Sequence, residues 1–596
     1  MRAITIPGFQ RFLLWKTKHL SQHQFILILS AFIGLGGGLG AVTIKNLTHF
    51  IQHKLEGKFI VTYHQAFYFI FPLIGLALAY FIIKYGFKKQ IGHGIPSTLY
   101  AISKRQGIMR SFQMYASVIT APLTVGFGGS VGLEGPTVAT GASIGSNIAR
   151  LFQMNQSSRT LLVSCAAAGA MSAIFKAPIA GIIFAIEVFS LDLTLVSLLP
   201  LLIASVSAIL TSYFFLGSNI LLSFQLKDPF LMSEVPFYII LGILASLCSM
   251  YFTTVYFKIS DLFKKIGSPF KRLLVGGIGL GILVYFIPPL YGEGYSVINN
   301  LLTENYRQAL GTNFFNEFLD NIWVVIALLV GLIIFKIVGT ALTFGAGGIG
   351  GIFAPVLFMG SALGHSFALI VNNLGILKNP ISVSNFTMVG MAGLMAGVLH
   401  APLTAIFLIA ELTGGYELIV PLMITAVISF LITTKFQPHS VYTMELAARD
   451  ELLTHDKDHK VLTLLNIDQV IETNFIPLKV NMNLGDVIHN GVIKSSRNLF
   501  PVLDENNNFM GIILLDDIRP VMFEKDLYDK IKVQELMQRA PEIIDINKDS
   551  VKDIMKKFQD SDAWNLPVVE NEKYVGFVSK SKLLTAYRQK LIEVTV

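Results

Sequence analysis

Apolar residues dominate the first three quarters of the chain in blocks near residues 25–45, 66–84, 112–126, 134–152, 160–174, 178–190, 195–216, 236–257, 272–290, 322–343, 354–372, 384–399, 403–413 and 418–434. Several fall short of the ~20 residues a helix needs to cross a bilayer. The short ones are therefore predicted to be half-spanning helices. Irregular backbone at membrane depth survives only where protein or a water-filled path surrounds it, so the broken segments should line a pathway. After Tyr442 the pattern changes, and from about residue 465 short β-branched runs alternate with amphipathic stretches. There Phe500-Pro-Val-Leu-Asp repeats as Leu566-Pro-Val-Val-Glu, each followed by a polar turn, a second strand and a polar helix from Asp516 or Lys580 onward.

The apolar part also repeats. Gly132, Pro136, Gly141 and Gly145 recur as Gly351, Pro355, Gly360 and Gly364, at a constant offset of 219. Gly169, Met171, Ala177, Pro178 and Glu187 recur as Gly393, Met395, Ala401, Pro402 and Glu411, at an offset of 224. Repeated halves with glycine- and proline-broken helices are a common way to build a transport site near the bilayer midplane.

Charge sharpens this division. Residues 451–596 hold 19 Lys and Arg against 23 Asp and Glu, leaving 27 and 15 for the 450 residues before them. A membrane body followed by a soluble domain is expected, with the body's basic excess in cytoplasmic loops. The basic balance is thus no sign of nucleic-acid binding. Arg2, Arg11, Lys16 and Lys18 precede the first apolar block without a small-residue cleavage site, which reads as a retained cytoplasmic segment. Cys165 and Cys248 lie in apolar blocks and suggest neither a disulfide framework nor a metal site.

Four stretches carry candidate chemistry. In Gly92-His93-Gly94-Ile-Pro96 the glycines expose backbone N–H groups, which form an anion site at a helix start, although a tight loop gives the same string. In Gly132-Leu133-Glu134-Gly135-Pro136 the proline suits a first helical turn, placing Glu134 at an N-terminus. A capping role would explain it, but an ionisable group within a membrane segment is costly and usually functional. Gly351-Ile352-Phe353-Ala-Pro355 replaces the acid by apolar residues and leaves main-chain N–H groups as the only donors. Tyr442 offers a hydroxyl after the last apolar block, where an interfacial aromatic anchor is the competing reading.

Together these stretches resemble the CLC family of chloride channels and proton/chloride exchangers, and the last 130 or so residues resemble the paired CBS domains that many members carry. The resemblance implies an all-α polytopic membrane domain, an inverted repeat of about 18 helices including half-spanning ones, followed by α+β tandem CBS domains. The expected division is a cytoplasmic segment 1–24, a membrane domain 25–447 with repeats near 25–217 and 236–447, and CBS domains at 465–526 and 533–592. It further implies a homodimer in a lipid bilayer, multi-pass in the cell membrane with both termini cytoplasmic, carrying chloride or another small anion. By position, Glu134 matches the family's gating glutamate, Ile352 and Phe353 its backbone N–H ligands, and Tyr442 its tyrosine ligand; His93 takes the place of its serine ligand.

Departures from the family pattern bear on mechanism. Leu133 stands where most members have Arg. His93 puts chloride preference in question, since fluoride-selective relatives differ at that position, and an imidazole adds a titratable group. Exchangers carry an internal acid directly after the glutamate that matches Glu187; here it is Val188, so passive, gated conduction is expected, with proton-coupled exchange of chloride or fluoride as the alternative. Glu187, mirrored by Glu411, is expected to have a structural pairing role. In the CBS pair, Asp517 keeps the family's ribose-binding acid without its hydroxyl partner, and Ser579 keeps the hydroxyl without the acid. A structural or dimerising role is therefore expected there, with an adenine nucleotide as the alternative and no other cofactor. An enzyme is the remote reading: a zinc membrane protease needs His-Glu-x-x-His, and none of the 12 histidines precedes a Glu. A cation transporter should cluster oxygen ligands in its path, and this body has few acids.

Overall fold

The computed structural model describes residues 11–447 and 465–595, apart from 12–14, 17, 56–63, 90, 93, 192–193, 218–221, 223–227, 312–315, 415 and 466. The chain forms two units, residues 1–452 and 453–596.

The described helices of the first unit are α1 (Gln22–Leu55), α2 (His64–Phe81), α3 (Gly94–Lys104), α4 (Gln113–Gly126), α5 (Glu134–Leu151), α6 (Gln156–Phe175), α7 (Pro178–Val188) and α8 (Leu195–Leu216). They continue as α9 (Val235–Lys265), α10 (Pro269–Phe286), α11 (Tyr295–Leu302), α12 (Tyr306–Leu310), α13 (Ile322–Gly345), α14 (Phe353–Asn373), α15 (Val383–Leu399), α16 (Pro402–Thr413), α17 (Ile419–Phe436) and α18 (Met444–Ala447). Among the described residues, nine helical spans are long and apolar enough to cross a membrane, while α7, α15 and α16 are apolar and shorter. The apolar blocks therefore appear as helices. The less apolar α3, α11 and α12 gave no such block.

The halves pack alike. Helix α1 lies on α8 as α9 lies on α17, and α5 on α6 as α14 on α15. Small residues let backbones touch: a Cβ at Gly141 would meet the Ala166 carbonyl at 2.7 Å, and one at its repeat-mate Gly360 would meet Met391 Cα at 2.6 Å. Close backbone approach through small residues is the usual way membrane helices associate, since lipid removes the hydrophobic drive.

The halves also exchange equivalent contacts. Ser130 N–H donates to Thr343 Oγ1 (3.2 Å), and Ile349 N–H donates to Thr124 Oγ1 (3.1 Å). Glu187 accepts from Leu403 and Thr404 N–H at the start of α16 (2.9 and 2.7 Å), and Glu411 accepts from Ile179 and Ala180 N–H at the start of α7 (3.0 and 2.8 Å). Each acid caps the other half's helix and satisfies donors that helix starts leave open. This is a structural pairing.

In the second unit two sheets share one plan. Strands β2 (Leu478–Lys479), β3 (Leu499–Leu503) and β4 (Phe509–Leu514) run parallel then antiparallel, as do β5 (Ile544–Asp545), β6 (Asn565–Glu570) and β7 (Lys573–Ser579). Both hairpins shift register at equivalent places, Val502/Leu503 and Val568/Val569. An early strand, β1 (Ile471–Glu472), pairs with the last, β7. The helix from Lys580 runs to Thr595, whereas its expected counterpart after β4 is only Leu515–Ile518. Arg519 and Pro520 follow, and proline cannot donate the N–H that continued helix requires.

Candidate functional site

Three helices begin alike, each with proline as its third residue: Pro96 in α3, Pro136 in α5 and Pro355 in α14. A proline in the first turn costs nothing, because that N–H has no intrahelical acceptor. The starts converge. Gly94 has φ +49°, and a Cβ there would meet the Gly135 carbonyl carbon at 2.9 Å. A Cβ at Gly351 would meet the Gly135 nitrogen at 2.7 Å. Gly132 and Gly351 form an isolated antiparallel bridge, N–H to carbonyl at 2.8 and 2.7 Å. Only glycines permit this approach, and it brings electropositive helix starts together.

Glu134 sits in this junction, 1 % exposed. Its Oε1 accepts from the Tyr295 hydroxyl at 2.7 Å. Its Oε2 has no hydrogen-bond partner among the described residues. The acid thus faces the first turns of both α5 and α14, and a Cβ at Gly351 would lie 3.1 Å from Oε2.

Beside it a cavity of about 40 Å³ is lined by Gly94, Gly135, Gly351, Ile352, Tyr256 and Tyr442, among others. Phe353 is fully buried, its ring 6.4 Å from the Tyr442 ring and packed on Phe175 and Phe184. Tyr442 is buried, and its hydroxyl has no hydrogen-bond partner among the described residues. Main-chain donors, one orphan hydroxyl and aromatic walls suit a small, partly dehydrated anion.

The structure therefore brings together Gly94, Pro96, Gly132, Glu134, Gly135, Pro136, Gly351, Ile352, Phe353, Pro355 and Tyr442, with Gly92 just ahead of α3. His93 lies outside the described residues. Val188 is the last residue of α7, 9 % exposed, directly after the capping Glu187. In the second unit, Asp517 is engaged, accepting from Leu514 N–H (3.0 Å) and Gln538 Nε2 (2.7 Å). Ser579 donates to Glu472 Oε1 (2.7 Å), and Arg497 holds that acid's other oxygen.

Sequence reasoning missed Glu293, Tyr295 and Lys336. Glu293 Oε1 accepts from Leu133 N–H at 3.2 Å. Lys336, with no exposure, donates to the Leu290 and Gly292 carbonyls (3.4 and 3.0 Å) and sits 4.7 Å from the Phe358 ring centre. A signal existed: Gly292-Glu293-Gly294 ahead of α11 has the same frame as Gly92-His93-Gly94 at the start of α3.

Comparison with known proteins identifies the family. Residues 74–434 match the model of the voltage gated chloride channel family, and residues 467–524 and 533–589 each match the CBS domain. A protein of Ralstonia nicotianae described as a ClcB-like chloride channel is 29% identical over 72% of this chain and 98% of its own length. The H(+)/Cl(-) exchange transporter ClcA of Vibrio cholerae is 30% identical, over 67% of this chain and 84% of its own length. Among solved structures, a slow cyanobacterial Cl-/H+ antiporter superposes with a TM-score of 0.62 at 23% identity, covering 72% of this chain and 98% of that one. The chain belongs to the voltage gated chloride channel (CLC) family: a multi-pass membrane protein with a C-terminal CBS pair, whose relatives transport anions rather than catalyse reactions.

Proposed function

We propose that this protein exchanges chloride for protons across a membrane, with Glu134 as the group that both occupies the anion site and carries the proton. One observation carries the reading: the buried Glu134 carboxylate lies where the starts of α5 and α14 meet, its Oε2 without a hydrogen-bond partner among the described residues and 3.1 Å from where a Cβ at Gly351 would lie, at the helix-start donors an anion would use. Carboxylate and anion then compete for one electropositive spot. Protonation removes the competitor's charge, so proton binding and anion occupancy are linked, and by reciprocity each drives the other. The expectation of passive conduction rested on Val188. The Vibrio cholerae relative, an exchanger by name, favours the alternative.

In this reading Ile352 and Phe353 supply backbone donors and Tyr442 its hydroxyl. The protein works as a homodimer in the bilayer, both termini cytoplasmic. The CBS pair has a structural or dimerising role without bound nucleotide, since Asp517 and Ser579 already spend their hydrogen bonds inside the domain.

The test is purified protein in liposomes under opposed chloride and proton gradients. A chloride gradient should drive protons uphill, and Glu134→Gln should stop proton movement while chloride still flows. A reversal potential that tracks chloride alone would return the protein to the channel class.

A further inference from the structure

The loop between α10 and α11 holds the gate at two consecutive residues. Glu293 takes the N–H of Leu133 (3.2 Å), and Tyr295, two residues on, donates to Glu134 Oε1 (2.7 Å). Between them Gly294 has φ +87°, and a Cβ there would meet Phe358 at 2.5 Å, so the loop's path is tightly constrained. Its base is pinned as well: Ser130 Oγ donates to the Leu290 carbonyl at 2.7 Å, and Lys336 bonds Leu290 and Gly292 from α13.

This places a second carboxylate beside the first. Glu293 is half-buried, and the charges that act on it are Glu134 from α5, Lys45 from α1 and Lys336 from α13. Glu134 in turn acts on Tyr295 and Tyr442. Leu133, between the two acids in this arrangement, is apolar and supplies no counter-charge. Two carboxylates in a poorly screened site ionise less readily together than apart. Their protons therefore belong to the pair.

We propose that Glu293 is a second carboxylate of the gate, a positioning residue whose negative charge sets the proton concentration at which Glu134 vacates the anion site. This rests on the gate assignment above. A loop cap alone would need only an acceptor for Leu133 N–H, and a glutamine oxygen supplies one. The charge is what Glu293→Gln removes.

The test is chloride flux against pH in liposomes containing the full chain. Without the neighbouring charge Glu134 ionises more readily, so the half-maximal pH of Glu293→Gln should move to the acid side by about one unit or more. Lys45→Gln, at a partly exposed position, removes a positive charge that favours ionised Glu293, so Glu293 carries less charge and the half-maximal pH should again move to the acid side. In the Glu134→Gln background neither change should restore a pH dependence. A Glu293→Gln profile that superposes on the parent overturns the inference. Should that variant not reconstitute, an unmoved or alkaline-shifted Lys45→Gln profile overturns it instead. If Glu134→Gln itself keeps the parental pH profile, the gate assignment fails, a result distinguishable from failure of Glu293 alone.

Discussion

Gly132 and Gly351 exchange both backbone hydrogen bonds, at 2.8 and 2.7 Å, across the seam between the halves. Their separation of 219 residues makes them equivalent positions of the repeat. The bridge therefore joins a residue to its own counterpart, as a local twofold requires. It sets the starts of α5 and α14 against each other, and Glu134 lies in the gap.

The seam has no room for a methyl group. In Gly351→Ala the new Cβ meets the Gly135 backbone nitrogen at 2.7 Å, and backbone cannot step aside as a flexible side chain can. Loss of folded protein or of thermal stability is expected, measured by size-exclusion yield and melting in detergent. Gly132→Ala instead overlaps Glu134 Oε2, a movable group. Its expected phenotype is an evicted gate, with chloride flux that no longer falls as pH rises.

Tyr295→Phe deletes the bond that holds Glu134 Oε1. A hydrogen bond to a charged group contributes about 1.5–3 kcal/mol, so the plugged state should weaken and chloride efflux at neutral pH should rise by roughly 10- to 100-fold. Efflux equal to the parent's would show that the tyrosine does not restrain the acid.

Glu187 and Glu411 make matching caps, so each change to alanine should destabilise the protein to a similar extent, about 1–2 kcal/mol by the usual cost of losing a cap. Glu187→Gln should leave the proton-to-chloride ratio unchanged in the gradient assay. A collapsed ratio would make Glu187 a proton carrier instead of a cap.

His93→Ser returns the serine that the family resemblance places there. Relative fluoride, chloride and nitrate permeabilities should change, as read from bi-ionic reversal potentials. Identical selectivity would remove His93 from the pathway.

In the CBS pair, Glu472 is held below its ordinary 4.5: desolvation opposes this but is outweighed by the Ser579 hydroxyl and the Arg497 guanidinium. A depressed carboxylate stabilises the folded form above its ordinary value, and that contribution disappears as pH falls through the lower folded one. Amide protection, measured against the intrinsic exchange rate, over residues 577–583 in the full chain should therefore fall below about pH 4.5 in the parent. It should fall less in Glu472→Gln.

The sequence by itself determined the helical spans, the two-half repeat and the hinge residues of the site. Each of these is a local property: a run of apolar residues, a glycine before a helix, a proline in its third position. Glu134 was legible for the same reason, being an acid framed by Gly132 and Gly135 inside an apolar chain. Only the tertiary structure decided who meets whom. Glu293 and Tyr295 reach the gate, and Lys336 the loop behind it, from a loop and two helices about 160 to 200 residues downstream, and no local pattern sets such distances. The mirrored Glu187 and Glu411 pointed to a structural pairing, but which helix each would cap was hidden, because a donor left open at one helix start does not announce which distant carboxylate will fill it.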